Sequence, residues 1–476
     1  MKKAIIILSA VLMAVSHYSC QKQLDELPKD ALVQGNTIVN QQTANIALNG
    51  VYYRFANASQ TNTNWTSNEV NPGILAGVLD DGRNTLNEAS NVLGRTSFNN
   101  DWGRYYSLVN AANGIIDQVS ALSGTLFSNG RKEQILAEAK FMRAFATFKV
   151  LSLMGQWFDI NSSFGALLHD KFLTSTTYAR ARSDVRSSYQ FILSDLDYAV
   201  ENAATTGSNV YVTKWAAMAL KMRVLLARGQ QDDYAQCAAI GNDVISNSGY
   251  VLEPGTRDIF YSKGLSSKEV ILGVTPQANQ GAYYYNTSGV YVRRNSFYVA
   301  TTVLKDMLAN DPRQQWYIGN ANGDKAGTFY FIKYVQSTLT TTQLSEVAYA
   351  IRLSEVYLMT AEATIRSGGS LATAKGLIHA VQAGAGITAT TNTASYLAVE
   401  QANTPEDLLL QSYYEYVKSF VGEDDQYYFA LLRFPLTTVT TLRPTIKNKE
   451  QYIYPIPRSE FVNNPLIGAQ NPGYTQ

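Results

Sequence analysis

Residues 130–155 read GRKEQILAEAKFMRAFATFKVLSLMG. Ile135, Ala139, Met142, Phe145, Ala146, Val150 and Leu153 recur at the three- and four-residue spacing that lines one face of an α-helix. Lys132, Glu133, Lys140 and Lys149 fall mostly off that face. The pattern predicts an amphipathic helix of about six turns. A second follows in RSDVRSSYQFILSDLDYAVENA, starting at Ser183 with Asp184 in its first turn and Val185, Tyr189, Ile192, Leu193, Leu196 and Val200 on one face.

Working outward, helices come in pairs. TKWAAMALKMRVLLARG closes at Gly229 and DDYAQCAAIGNDVISNSG closes at Gly249. Later, RLSEVYLMTAEATIRSGG and SLATAKGLIHAVQAG repeat the arrangement, each ending in glycine, a helix-stop residue. Hairpins with short connections and small alanines at contact positions resemble tetratricopeptide-type repeats. The expected class is mostly α: a helical-hairpin scaffold over about 131–250 and 350–382, with an irregular region and a few short strands. Residues 57–104 and about 262–345 carry no sustained period, and KEVILGV with its neighbours suggests strands or an elaborate loop. Long irregular segments in a compact domain tend to be functional surfaces. Residues 382–404 read as a third polar loop.

Charge narrows the partners. Thirty-nine basic and 38 acidic side chains nearly cancel, which leaves no basic footprint for nucleic acid. At the N-terminus, Lys2 and Lys3 precede an almost wholly apolar run from Ala4 to Val15. As a helix that run rises about 18 Å, short of a bilayer core of about 30 Å, so residues 1–19 read as an export signal. Cys20 stands where bacterial lipoproteins carry an acylated cysteine, with small Ser19 before it although His17 occupies a usually aliphatic position; cleavage elsewhere is the alternative. The other cysteine, Cys237, lies in a helical stretch and reads as a buried small hydrophobe.

Several fragments, taken in order, resemble the SusD/RagB family of outer-membrane nutrient-binding lipoproteins. They are CQKQLDELPKDAL, AEAKFMRAFATFKVLSLMGQW, YVTKWAAMALKMRVLL, SKEVILGV, NDPRQQ with IKY, IRLSEVYLMTAEA, and YIYPIPRSEFVNNPLIGAQNPGY. They run over residues 20–476, read as one SusD-like domain. Two places depart from the family pattern. VQAGAGI stands where members carry an arginine-rich end, and in LLLQSYYEYVKSFVGEDDQYYFALLRFP only Gly422, Leu431, Leu432 and Arg433 correspond. The resemblance implies four helix-turn-helix units in a right-handed superhelix, a lipid anchor on the outer membrane facing outward, and a SusC-like TonB-dependent transporter as partner. The ligand it implies is a glycan, or a peptide as for RagB-like members; a module binding only the transporter is a third reading.

The chemistry of the residues agrees with binding. His169 and His379 are far apart, each read as a surface or helix-end residue, and no metal-binding or nucleophile motif is present, so no metal, cofactor or catalytic residue is expected. A glycosidase needs two carboxyl groups flanking the bond. Asp80-Asp81 and Glu423-Asp424-Asp425 are acidic clusters, but adjacent carboxylates read as solvated turns. A sugar binder needs aromatic faces with amide, carboxylate and guanidinium groups. Trp65, among polar residues in TNTNWTSNE, is the first expected ligand platform. Asp80, Asp81, Arg83 and Asn84 in LDDGRN, Tyr283, Tyr284 and Tyr285 in AYYYN, and Trp316 after DPRQQ complete the expected ligand set. Trp102 and Trp215, in helical contexts, read as scaffold.

Overall fold

The computed structural model describes residues 37–56, 58–59, 62–63, 65–80, 96–174, 176–275, 299–320, 329–333, 347–391 and 393–475. Its main helices are α1 (Gln41–Phe55), α2 (Thr66–Leu75), α3 (Thr96–Ala121), α4 (Arg131–Met154), α5 (Val185–Asn202), α6 (Lys214–Arg228) and α7 (Gln231–Asn247). After a long insertion come α8 (Leu353–Arg366), α9 (Leu371–Gly384), α10 (Thr393–Glu400), α11 (Pro405–Phe420) and α12 (Gln426–Leu432). From α3 to α9 each helix packs on the next, and α7 packs directly on α8 across the insertion. This is the stacked-hairpin scaffold that the helical period implied. Residues 393–400, expected as loop, form α10, which packs on α9 and α11.

Local chemistry sets the helix limits. Asp184 caps α5 from outside the helix, its carboxylate accepting from Ser187 N at 2.6 Å. Thr213, Ser370 and Thr404 cap α6, α9 and α11 in the same way, with Pro405 opening α11 where its missing N–H costs nothing. Within α7, Gly241 lets two helices touch: a Cβ there would lie 1.9 Å from Thr360 Oγ1 of α8 and 2.7 Å from Met222 Cε of α6.

Helix α4 departs from the expected amphipathic form. It is covered nearly all round by α1, α3 and α5, and Glu138, Arg143 and Lys149 are buried with the apolar side chains. A buried charge needs a partner. Arg143 makes a two-pronged contact with Asp195 at 2.6 and 2.8 Å, and Glu138 accepts from Tyr52 Oη at 2.6 Å and Arg131 at 2.5 Å.

Lys149 belongs to a larger arrangement that overturns the solvated-turn reading of Glu423-Asp424-Asp425. All three carboxylates are buried. Lys149 Nζ lies 2.8 Å from Asp424 and 2.6 Å from Asp425. Arg223 of α6 reaches Asp424 at 2.8 Å, Glu355 at 2.7 and 2.6 Å, and the Ala350 carbonyl at 2.6 Å. Arg352 pairs with Glu423 at 2.6 and 2.8 Å and also with Glu269. Lys333 donates to Glu423 at 2.5 Å and to the carbonyls of Ser419 and Val421, so its three protons have three acceptors. Alongside, Arg313 bridges Asp311 and Glu415. Burial pushes Asp424 up, yet Lys149 and Arg223 hold it below the usual carboxylate range; burial together with the Asp424 charge pushes Asp425 above it.

Gly422 makes the turn that delivers these acids. Its φ of +81° is open to glycine, and a Cβ there would sit 2.5 Å from the Phe331 ring. Beside the turn, strand Val270–Val274 pairs antiparallel with Ala348–Arg352, and both are wholly buried. That run is SKEVILGV meeting IRLSEVY, so these motifs, with NDPRQQ and IKY, converge on the ion network. The C-terminal motif is a clasp. Asn471 Nδ2 donates to the carbonyls of Met154 and Tyr454, Arg182 donates to Asn471 Oδ1, and Gln470 makes paired bonds with the Ile456 backbone.

Two outcomes follow from these buried ions. Replacing Arg223 with Ala leaves Glu355 and Asp424 without their shared cation, and urea unfolding should show a loss of about 3–5 kcal/mol; a loss below about 1 kcal/mol would mean that the network is not a support. Burial pushes Glu362 up, but Arg433 and Arg366, at 2.5 and 2.8 Å, hold it down to about 2. A depressed carboxyl stabilises the fold above its ordinary value near 4.5, and that contribution drains away as pH falls toward 2. The urea midpoint should therefore drop through this window, and Glu362→Gln should be less stable at neutral pH with a shallower drop.

Candidate ligand site

A small four-stranded antiparallel sheet gathers the irregular segments. Strand Leu79–Asp80 pairs with Val299–Ala300, which pairs with Phe329–Phe331, which pairs with Ile318–Asn320. Asp80 lies opposite Val299, and Val299 opposite Tyr330. Asp80 is the last described residue before 81–95, and Val299 the first after 276–298. The pairing is antiparallel, so both segments join the fold at the same end of one sheet. Thr301 fastens that junction, its N–H donating to Val78 O and its hydroxyl to Gly77 O.

Next to this sheet runs Ile259–Lys263, a π-helical turn, a form that recurs at functional sites. The turn sends successive aromatic rings in different directions. Phe260 is buried against Tyr349 and Trp316, with Lys333 and Arg352 over its ring. Tyr261 is half-buried, edge-to-face with Trp316 at 5.9 Å, and its hydroxyl lies 3.5 Å from the carbonyls of Trp316 and Ile332. Exposed Arg257 sets its guanidinium 4.5 Å over the Tyr261 ring. A planar multi-donor cation stacked on an aromatic ring is a chemistry that sugar recognition can use. Neither Arg257 nor Tyr261 stood out in RDIFYSK, because only the π-turn separates the inward from the outward aromatic.

The structure moves two expected platforms into the core. Trp65 is 3% exposed, with Phe55 at 5.1 Å and Phe145 stacked at 6.1 Å. Its sequence neighbours are polar, but it heads α2 and points at α1 and α4, which supply apolar neighbours in space. Trp316 is 9% exposed among Phe260, Tyr261 and Tyr317. It lies in one helical turn directly after buried Arg313, which turns both Trp316 and Tyr317 inward. It is a wall behind Tyr261. Asp80 is exposed at the sheet edge, while Cys20, Asp81, Arg83, Asn84, Tyr283, Tyr284 and Tyr285 lie outside the described residues. Trp102 and Trp215 are buried scaffold, and Cys237 is fully buried, its thiol pushed well up by burial.

His169 is buried too, against the reading of a surface residue. It packs edge-to-face with Tyr106, and burial together with Arg180 pulls its pKa down to about 4, so it stays neutral. His379 is a helix residue in α9, stacked 3.9 Å from Tyr396 and bonded to Gln382 and Glu400. Among the described residues no helix is long and apolar enough to cross a membrane, and no cluster of three His, Cys, Asp or Glu side chains could hold a metal ion.

Known proteins share this fold. A family described as starch-binding, associating with the outer membrane, matches residues 20–226, and the SusD family matches residues 278–445. A SusD-like protein of Bacteroides ovatus is 25% identical over 327 residues, 58% of this chain; the match spans only 57% of that relative's length. A SusD superfamily structure from Bacteroides thetaiotaomicron superposes with a TM-score of 0.73 at 22% identity, covering 91% of this chain and all of the other. A laminarin-binding SusD-like protein superposes with a TM-score of 0.64 at 20% identity, covering 92% and 100%. The solved structures share the fold, and the two matched segments, which between them take in most of the chain, place it in the SusD family.

Proposed function

We propose that this protein captures oligosaccharide at the outer surface of the cell and hands it, chemically unchanged, to a SusC-like TonB-dependent transporter. The observation that carries the reading is the small sheet that anchors segments 81–95 and 276–298 at one end, beside the Arg257–Tyr261 ledge. Family membership supports a role at the outer membrane, and one structural relative is described as laminarin-binding. In this reading Asp80, Asp81, Arg83, Asn84 and Tyr283 to Tyr285 add ligand contacts to the ledge, and acylated Cys20 holds the protein on the membrane. The fate of one acidic cluster favours binding over hydrolysis: Glu423, Asp424 and Asp425 are buried and held by Lys and Arg.

The reading is tested by titrating the mature chain against defined oligosaccharides, laminarin fragments among them. Arg257→Ala and Tyr261→Ala should each weaken the best ligand about tenfold, about 1.4 kcal/mol, as should the triple alanine change at Tyr283, Tyr284 and Tyr285. The bound sugar should be recovered intact after incubation. Binding to peptide pools with none to glycans would reassign the ligand to the RagB type, and released sugar fragments would make the protein an enzyme. Mass spectrometry of membrane-extracted protein should find acyl chains on Cys20; an unmodified N-terminus removes the anchor.

A further inference from the structure

A concave site with none of the ledge residues in its lining lies beside Thr275. Where α1, the α5–α6 connection and the end of strand Val270–Val274 meet, a cleft of about 300 Å³ is lined by Asn49, Tyr52, Phe55, Val210, Tyr211 and Thr275. Its volume sits at the lower limit of small-molecule pockets, room for one or two pyranose rings. Tyr211 is 45% exposed and stands edge-to-face on Tyr52 at 5.1 Å.

The mounting of Tyr211 is rigid. Two residues before it, Asn209 O accepts from Gly273 N at 2.8 Å, and the Asn209 amide donates to Leu265 O and Val270 O. One residue after it, Val212 N donates to Tyr52 Oη at 2.8 Å, and that hydroxyl in turn donates to buried Glu138. Exposed loop aromatics are ordinarily mobile; this one is pinned on both sides to the scaffold, so a ligand meeting it orders little further chain. Around it, the Asn49 amide, the Tyr211 hydroxyl and the Thr275 hydroxyl have no side-chain hydrogen-bond partner among the described residues. A fixed aromatic ring ringed by unpaired amide and hydroxyl groups matches a sugar, which presents a C–H face and a rim of hydroxyls.

We infer that this cleft is an accessory sugar subsite, holding a mono- or disaccharide unit against Tyr211 with Asn49 and Thr275 on its hydroxyls. The inference rests on the oligosaccharide-binding reading above and adds a site separate from the Arg257–Tyr261 ledge. Two weak subsites on one rigid scaffold would raise the avidity for a polymer without a deep pocket.

The test uses the mature chain on an array of defined oligosaccharides, followed by titration of the strongest binder. Tyr211→Ala and Asn49→Ala should each raise its Kd fivefold or more, whereas Tyr211→Phe, which keeps the ring, should stay within about twofold. Melting temperatures show whether Tyr211→Ala acts through folding; Asn49 is exposed on α1, and its alanine variant reports on ligand contact alone. Wild-type protein that binds no glycan overturns this subsite together with the proposed function. Wild-type binding that is weakened by Arg257→Ala but unmoved by Asn49→Ala and Tyr211→Ala overturns the subsite and leaves the function standing.

Discussion

The turn Glu423-Asp424-Asp425, buried and held by Lys149, Arg223, Lys333 and Arg352, is the constraint on which the rest of the structure depends. Each cation comes from a different part of the chain: α4, α6, the residues after the small sheet, and the end of strand Ala348–Arg352. Desolvating so many charges is costly, and apolar replacements of the same shape would serve stability equally well. A charge network is directional where an apolar contact is not. Each bidentate pair accepts one register of one element against another. The two halves of the solenoid, the central strand pair and the C-terminal helices are thereby aligned on one point.

That alignment explains where ligand contacts can be afforded. The insertion between α7 and α8 leaves the scaffold and returns to it, and its described parts are tied down at both ends. Strand Val270–Val274 is locked to Ala348–Arg352 beside Glu269 and Arg352, and Lys333 follows the small sheet into the ion network. The Arg257–Tyr261 ledge, the Asp80–Val299 junction and the Tyr211 cleft are all mounted on these fixed parts. A binding surface carried by irregular chain needs such a base, because ordering a loop at the moment of binding consumes affinity.

Much of the scaffold was legible because helical period is a local signal. The start at Ser183 and Asp184 and the stops at Gly229 and Gly249 lie within a few residues of the helices they limit. The misses share one cause. Sequence neighbours put Lys149 off the apolar face, Trp65 in a polar loop and the acids of 423–425 in a solvated turn. In space, Lys149 meets acids 275 and 276 residues away, and Trp65 meets Phe145. Tyr261 and Arg257 escaped notice for the converse reason: a π-turn has no sequence signature that distinguishes which of two adjacent aromatics faces out.

The sequence by itself determined the six helices α4 to α9, their pairing into hairpins and the order of motifs that resembles one family. These rest on short-range rules: side-chain period, capping and the spacing of apolar residues. Only the tertiary structure decided which residues serve the scaffold and which stay exposed. Burial and charge pairing are properties of distant segments brought together, and a residue's solvent exposure is not written in its neighbours. The motifs that carry the family resemblance thus largely hold the protein in register, and Arg257, Tyr261 and Tyr211, which no motif marks, are exposed or half-buried on the surfaces proposed for a ligand.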